Sequence, residues 1–136
     1  MNIIKKLQEL NLPFGEYVVI GSGILAALNL REANDLDIAV TEKLFNSLKN
    51  NKNFKNSTKH NEEFLIGDDV EVISRLNWDH YPTTIEMAIT SAMTINNFPF
   101  LNIEETIKFK TALGREKDFK DIKLLKNYLK QNTSKL

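Results

Sequence analysis

The spacing of apolar residues along the chain predicts an alternation of helices and strands. Apolar positions at helical spacing from Ile3 to Leu10 predict a short first helix. The apolar run Tyr17 to Ile20 predicts a buried strand. The Ala- and Leu-rich run Gly23 to Leu30 predicts a helix whose apolar residues face the core. The segment Asp35 to Val40 alternates acidic and apolar residues before it becomes fully apolar, which predicts a second strand.

The middle of the chain predicts one helix and a hairpin. Thr41 is placed to cap a helix that continues to about Asn50. The polar segment Asn50 to Asn61 predicts a loop with a weak strand. Phe64 to Ile66 and Val70 to Ile73 predict two strands around the turn Gly67-Asp68-Asp69.

The last third predicts a mixed segment followed by helices. Pro82 to Thr84 has the composition of a helix start, and Asn96-Asn97 that of a hairpin turn. Asn102, with a glutamate three residues on, predicts a helix that Gly114 ends. A final helix is predicted with these residues on its inner face: Phe119, Ile122, Leu125 and Leu129. The whole order predicts an α/β (α+β) protein with a mixed, mainly antiparallel sheet, packed by helices on one side.

Composition and charge narrow the class of protein. A chain of 136 residues with 42% hydrophobic and 26% charged residues predicts one globular domain over 1–136. The formal net charge is zero, so contact with nucleic acid would need a local basic patch. The absence of cysteine excludes disulfides and thiolate metal sites and favours a reducing cytoplasm. No apolar run has the length of a membrane span, so no membrane partner is expected.

Two aspartates on one strand are the strongest candidates for chemistry. Asp35 and Asp37 share a face of the predicted strand, roughly 7 Å apart, and their hard oxygens suit Mg²⁺. A third carboxylate from a neighbouring strand would complete a two-metal phosphoryl-transfer site. Glu71 is the first candidate because its apolar neighbours must face the core and turn it to the opposite side, and Asp69 ranks second.

A glycine-serine turn precedes these acids. Gly21 permits a tight turn and close approach of a phosphate, and Ser22 can donate its hydroxyl and backbone N–H at a helix start. Neither the lysine of a Walker loop nor the GxGxxG pattern of dinucleotide-binding proteins is present. The turn therefore suits the phosphates of a nucleotide without matching either motif.

Together these residues resemble the nucleotidyltransferase superfamily that includes DNA polymerase β. Its signature is an apolar strand, Gly-Gly or Gly-Ser, about ten residues, and then Asp, apolar, Asp or Glu, apolar; here Gly21-Ser22 precedes Asp35-Leu36-Asp37-Ile38. The resemblance implies a nucleotidyltransferase fold in which Asp35 and Asp37 bind Mg²⁺ with the nucleotide. It implies that the third acid, Glu71 by position, helps to activate the acceptor hydroxyl.

The segment Lys108 to Asp121 resembles the C-terminal part of small bacterial, or minimal, nucleotidyltransferases. These include toxin components of abortive-infection and toxin–antitoxin pairs and relatives that modify antibiotics. The resemblance implies that Lys110 contacts nucleotide phosphate and that Asp118 lies near the active site, orienting a Lys or Arg. Arg31 matches an Arg that often precedes the first Asp. From the residues alone, Lys110 could equally lie on a solvated helix face, and Asp118 could cap the last helix.

The sequence therefore predicts a Mg²⁺-dependent nucleotidyltransferase that moves a nucleoside monophosphate from a nucleoside triphosphate to an acceptor hydroxyl and releases pyrophosphate. The alternatives are a catalytically inactive nucleotidyltransferase-like binding or toxin–antitoxin module, and a structural α/β module with solvated acids. A small molecule such as an antibiotic, a tRNA end and a protein side chain are all open as acceptors. A homodimer could complete the acceptor cleft of so short a chain.

For a few further residues the sequence allows either a role in ligand binding or a role in packing. Trp78 and Tyr81 could stack on a base, although packing in the core or at its rim is favoured. His60 and His80 lack a second ligand at metal spacing, which argues against zinc. The last few residues are predicted to be disordered.

Overall fold

The computed structural model describes residues 1–77 and 81–133. The predictions for Trp78, His80 and the last few residues lie outside these ranges. The described residues form six helices: α1 (Ile3–Leu10), α2 (Gly23–Ala27), α3 (Glu42–Lys49), α4 (Ile85–Thr90), α5 (Ile103–Leu113) and α6 (Glu116–Thr133). They form seven strands: β1 (Tyr17–Ile20), β2 (Leu36–Val40), β3 (Lys55–Lys59), β4 (Glu62–Gly67), β5 (Val70–Ile73), β6 (Met93–Ile95) and β7 (Phe98–Phe100).

The seven strands form one sheet in the order β3-β4-β5-β2-β1-β7-β6. Four neighbouring pairs are antiparallel, and the pairs β2–β5 and β1–β7 are parallel. The predicted mixed, mainly antiparallel sheet with a helical C-terminus is therefore confirmed. The parallel pairing of β2 with β5 places a strand from the middle of the chain beside the predicted acidic strand.

Both faces of the central strands are buried, and each face meets different helices. Val19 and Ile38 belong to a core that also contains residues of α1, α2, α3 and α6. Val18 and Ile20 face the other way, into a second core with α4 and Phe109 of α5. Most helices thus pack on one side, as predicted, and the structure adds α4 and part of α5 on the opposite face at the β1 end.

Short polar caps fix the helix ends that the sequence predicted. Thr41 Oγ1 accepts a hydrogen bond from the backbone N–H of the third residue after it, as does Asn102 Oδ1 at the start of α5. Thr84 caps α4 in the same way. Gly114 ends α5 with φ of 65°, in the left-handed region that glycine tolerates. These boundaries confirm the predicted starts and stop.

Three predicted details differ. The helix predicted for Gly23 to Leu30 stops at Ala27, because Asn29 has φ of 60° and turns the chain away from the helical path. Asp35 lies just before β2 rather than in it. Phe119 is 53% exposed rather than inward, because acidic residues occupy the buried face of α6 there.

Tyr81 packs in the second core. Its ring meets Phe109 edge-on, with the centroids 5.5 Å apart, and its hydroxyl donates to Glu105 Oε1 at 3.0 Å. The packing interpretation of Tyr81 is therefore the one that the structure bears out. Among the described residues, no helix is both long and apolar enough to cross a membrane.

Candidate functional site

The ends of β1, β2 and β5 and the corner between α5 and α6 enclose a cavity of about 640 Å³. It brings together residues that lie far apart in the sequence. All seven residues that the sequence predicts for the site line it: Gly21, Ser22, Asp35, Asp37, Glu71, Lys110 and Asp118.

The carboxylates form the floor of this cavity. Asp37 lies opposite Glu71 in the parallel pairing of β2 with β5, so both side chains project to the same face, on strands about 4.8 Å apart. Asp35 is exposed beside them. Asp69 is not among the described residues that line the cavity, and its carbonyl oxygen accepts a hydrogen bond from Leu36 N at 2.8 Å. The geometry thus favours Glu71 over Asp69 as the third acid.

The closeness of these acids perturbs Asp37. Burial raises the pKa of Asp37 to about 7, and the negative charges of Asp35 and Glu71 add to the rise, although Lys110 and Arg115 act against it. A carboxyl group in this state holds a proton about half of the time at neutral pH. The floor therefore carries a repulsion that a divalent cation would relieve.

The oxygen donors fit Mg²⁺ held jointly with a substrate. Within residues 1–77 and 81–133, no three Asp, Glu, His or Cys side chains are arranged to hold a metal ion by themselves. Mg²⁺ is commonly bound through one or two carboxylates together with water and substrate phosphates. Asp35, Asp37 and Glu71 offer such hard ligands on one surface. They suit a cation that arrives with a nucleotide better than a preformed three-carboxylate cage.

Gly21 separates the floor from the cationic wall. Its φ is 70°, and a Cβ at this position would lie 3.2 Å from Asp37 Oδ2. A side chain here would both strain the backbone and press on the carboxylate. Glycine thus allows the chain at the end of β1 to turn directly beside the carboxylates of the floor.

The wall opposite the acids is a network of charged residues centred on Asp121. Arg31 Nε donates to Asp121 Oδ1 and Arg31 Nη2 to Asp121 Oδ2, each at 2.7 Å. Lys110 Nζ donates to Asp121 Oδ2 at 2.9 Å. Burial alone would raise the pKa of Asp121, but the hydrogen bonds from Arg31 and Lys110 outweigh it and hold that pKa below its usual range.

Lys110 is almost fully enclosed by this network. It is 2% exposed, and besides Asp121 it has Asp118 at 3.7 Å and Ser22 Oγ at 3.3 Å. The solvated-face interpretation of Lys110 is therefore wrong, because the lysine points inward between α5, α6 and the Gly-Ser turn. Its place at the edge of the cavity makes it a residue that positions Ser22 and Asp121.

A second ion pair holds an accessible cation over the cavity. Arg115 Nε donates to Asp118 Oδ2 at 2.6 Å and Nη2 to Oδ1 at 3.1 Å, and the backbone N–H of Arg115 also donates to Asp118 Oδ2. Asp118 is fully buried, whereas the Arg115 side chain is 51% exposed. Asp118 thus both caps the start of α6 and orients a guanidinium that lines the cavity.

Ser22 lies where the two halves of the site meet. Its hydroxyl makes no capping bond to α2, which is five residues long, and instead accepts hydrogen bonds from Arg31 Nη2 at 2.7 Å and from Lys110 Nζ. The predicted helix-terminus contribution is small at that length, because the dipole grows with the number of aligned peptide units. The proton of the Ser22 hydroxyl is donated to Asp121 Oδ2 at 3.4 Å, so the cations provide the positive potential instead.

Asp121, the central residue of the network, is not among the site residues that the sequence predicts. A signal for it was present: Asp118, Asp121, Ile122 and Leu125 recur at helical spacing, which places the two acids on the apolar face of α6. All four are buried. Two acids on a buried helix face need cationic partners, and Arg31, Lys110 and Arg115 supply them.

Comparison with known proteins gives one structural likeness. No protein-family model matches the chain, and no curated protein sequence does. A solved structure described as an antigenic nucleotidyltransferase-like protein from Paracoccidioides brasiliensis is 16% identical, with a TM-score of 0.46 over 91% of this chain and 72% of that one. A likeness of this size establishes neither a family nor an activity.

Proposed function

We propose that this chain is a Mg²⁺-dependent nucleotidyltransferase, which moves a nucleoside monophosphate from a nucleoside triphosphate to an acceptor hydroxyl and releases pyrophosphate. One observation carries the proposal. Asp37 and Glu71 stand side by side on parallel strands, with Asp35 next to them, facing a cationic wall across the Gly21 turn. Acids for a metal and cations for phosphates thus line one cavity.

The triphosphate would lie between the floor and the wall. Gly21 turns the backbone at the edge of this space against Asp37, and the Ser22 hydroxyl is held in place by Arg31 and Lys110. Arg115 presents exposed N–H donors to the same space. We assign the direct phosphate contacts to Arg115 and to Ser22, whose hydroxyl proton would turn from Asp121 to the phosphate. Lys110 holds Ser22 and adds positive charge from behind.

Asp35 and Asp37 would hold Mg²⁺ together with the phosphates, with Glu71 as a further ligand on the acceptor side. When bound there, the ion supplies positive charge that neutralises the phosphates and the carboxylates. Its presence would also keep Asp37 ionised at neutral pH, since a cation lowers the pKa of a neighbouring acid.

The transfer itself needs a base on the acceptor side. Glu71 is exposed at the edge of the floor and would accept the proton of the acceptor hydroxyl. The acceptor oxygen then forms a bond to the α-phosphorus while the bond from that phosphorus to the pyrophosphate oxygen breaks in line. Pyrophosphate leaves, and the proton on Glu71 returns to solvent.

Isothermal calorimetry with a panel of nucleoside triphosphates, with and without Mg²⁺, tests the site. We expect Mg²⁺-dependent binding that the double substitution Asp35→Ala and Asp37→Ala abolishes. The matched control is Asp68→Ala with Asp69→Ala, an exposed acid pair outside the cavity. Unchanged binding in the Asp35 and Asp37 variant would overturn the proposal.

A transfer assay separates the enzyme from an inactive binding module. Labelled nucleotide incubated with the protein, Mg²⁺ and cell extract would give a labelled product if transfer occurs. Nucleotide binding without any metal-dependent product would instead favour the nucleotidyltransferase-like partner module. A neighbouring antitoxin gene would add a toxin–antitoxin setting to either outcome.

A further inference from the structure

The face of the sheet that bears Asp37 and Glu71 continues beyond the cavity. Residues that lie opposite one another across β2, β5, β4 and β3 share this face, because paired residues on neighbouring strands project to the same side. We call the part formed by β5, β4 and β3 the open face. Two rows of residues cross it from the site outward: Asp37, Glu71, Ile66 and Lys55, and Ala39, Ile73, Phe64 and Ser57.

Apolar side chains on the open face are left partly in contact with solvent. Ile66 is 45% exposed. Phe64 is half-buried and belongs to neither of the two cores, whereas the next residue, Leu65, points to the opposite face and is buried in the first core. An aromatic ring on a sheet surface outside the core provides a platform on which a planar group can stack.

The open face carries three cations against two acids, a small positive excess, although the chain is neutral overall. Lys55 and Lys59 are exposed at the two ends of β3. Arg75 follows β5, with its guanidinium 3.2 Å from Glu62. Apart from Glu71, Glu62 is the one acid that the described strand pairings place on this face. Because Arg75 is paired with Glu62, the positive charge that this face could offer to a nucleic acid comes from Lys55 and Lys59.

The open face is continuous with the candidate site. Lys59 and Ile73 line the same cavity as Asp37 and Glu71. The cationic wall of α5 and α6 lies on the β1 side of the acids, and the open face lies on the β3 side. The acids thus stand between two surfaces that carry cations, one of which the proposed triphosphate would occupy.

We propose that the open face binds the acceptor, and that the acceptor is a single-stranded nucleic acid whose terminal hydroxyl lies at Glu71. This inference rests on the proposed nucleotidyl transfer and names its acceptor class. Spaced lysines suit the repeated phosphates of a strand, and Phe64 suits an unpaired base. The same lysines repel a cationic antibiotic, and an uncharged protein side chain would leave them without a complementary charge.

Binding of a short fluorescein-labelled oligonucleotide, measured by fluorescence anisotropy at several salt concentrations, tests the inference. Lys55→Glu with Lys59→Glu should weaken the affinity by about tenfold or more and flatten its salt dependence. Phe64→Leu should weaken it roughly fivefold through lost stacking. Lys43→Glu with Lys126→Glu, the same charge change at exposed positions of α3 and α6, should leave the affinity unchanged.

The outcomes separate this inference from the proposed function. Asp35→Ala with Asp37→Ala should lose Mg²⁺–nucleotide binding yet keep the oligonucleotide, whereas Lys55→Glu alone, at a position that does not line the cavity, should do the reverse. Its retained nucleotide binding and unchanged melting temperature show that it is folded. Parallel arms with RNA and DNA of one sequence identify the preferred sugar, and binding of either supports the inference. Absence of salt-dependent binding, equal effects in the control variant, or labelled product on protein alone would overturn it.

Discussion

The Asp121 carboxylate accepts two hydrogen bonds from the Arg31 guanidinium, each of 2.7 Å, although the two residues are 90 positions apart. This bidentate pair ties α6 to the segment after α2 and fixes one wall of the cavity. Lys110 completes it from α5. The wall therefore depends on a buried acid with two cationic partners.

Loss of the Asp121 charge should destabilise the fold. Asp121→Asn leaves the buried Lys110 without its closest anion, and breaking a buried pair in this way costs about 3 kcal/mol. Urea denaturation should show this loss. Glu63→Gln, which breaks the exposed 2.6 Å pair with Lys49, should change the midpoint little. Equal shifts for the two variants would contradict the role of Asp121.

Without bound metal, Asp37 should destabilise the folded protein at neutral and alkaline pH. Its folded-state pKa of about 7 lies above the value of an unfolded aspartate, so the penalty is absent below about pH 4 and grows as the pH rises to 7. Asp37→Asn removes it, and should raise the stability by on the order of 2 kcal/mol at pH 8. Thermal unfolding across this pH range, with chelator present, measures the gain. A gain that is the same at pH 4 and pH 8 would show that the acid cluster is not its cause.

Glu71 should affect turnover more than nucleotide binding. If it accepts the acceptor proton, Glu71→Gln lowers the transfer rate by roughly 10²- to 10⁴-fold and keeps most of the nucleotide affinity. The rate of labelled-nucleotide transfer, set beside calorimetry, shows this split. Asp69→Asn, on the turn outside the cavity, is the control and should transfer at the normal rate. Normal transfer by Glu71→Gln would exclude the residue as the base.

Gly21 should matter for more than its backbone. Gly21→Ala and Gly15→Ala both put a side chain at a positive φ, which costs about 1 to 2 kcal/mol. At Gly15 nothing lies within 4 Å of the added methyl group, whereas at Gly21 it meets Asp37 Oδ2. Both variants should therefore melt earlier, and Gly21→Ala alone should weaken Mg²⁺–nucleotide binding in calorimetry. If both bind nucleotide normally, the turn does not approach the phosphates.

The sequence predicted those features that local chemistry decides. Thr41, Asn102 and Gly114 mark helix ends because capping and left-handed backbone depend on the residue itself. The face of Glu71 also followed from its own strand, because the apolar residues on each side must be buried.

The remaining features depend on contacts between distant segments. Phe119 faces outward because Asp118 and Asp121 occupy the inner face of α6. Two buried acids are stable there only because cations pair with them: Arg31, Lys110 and Arg115. A single-sequence pattern does not show which distant cation meets which acid. The role of Asp121 as the shared partner of Arg31 and Lys110 therefore follows only from the three-dimensional structure.

The edge position of β3 gives its lysines a further consequence. An edge strand offers unpaired backbone groups to any passing chain, and charged side chains, lysine above all, discourage such edge-to-edge pairing. Lys55 and Lys59 stand at the two ends of this edge. Their exchange for apolar residues would invite sheet-to-sheet aggregation, so the same two charges also protect the protein against self-association through β3.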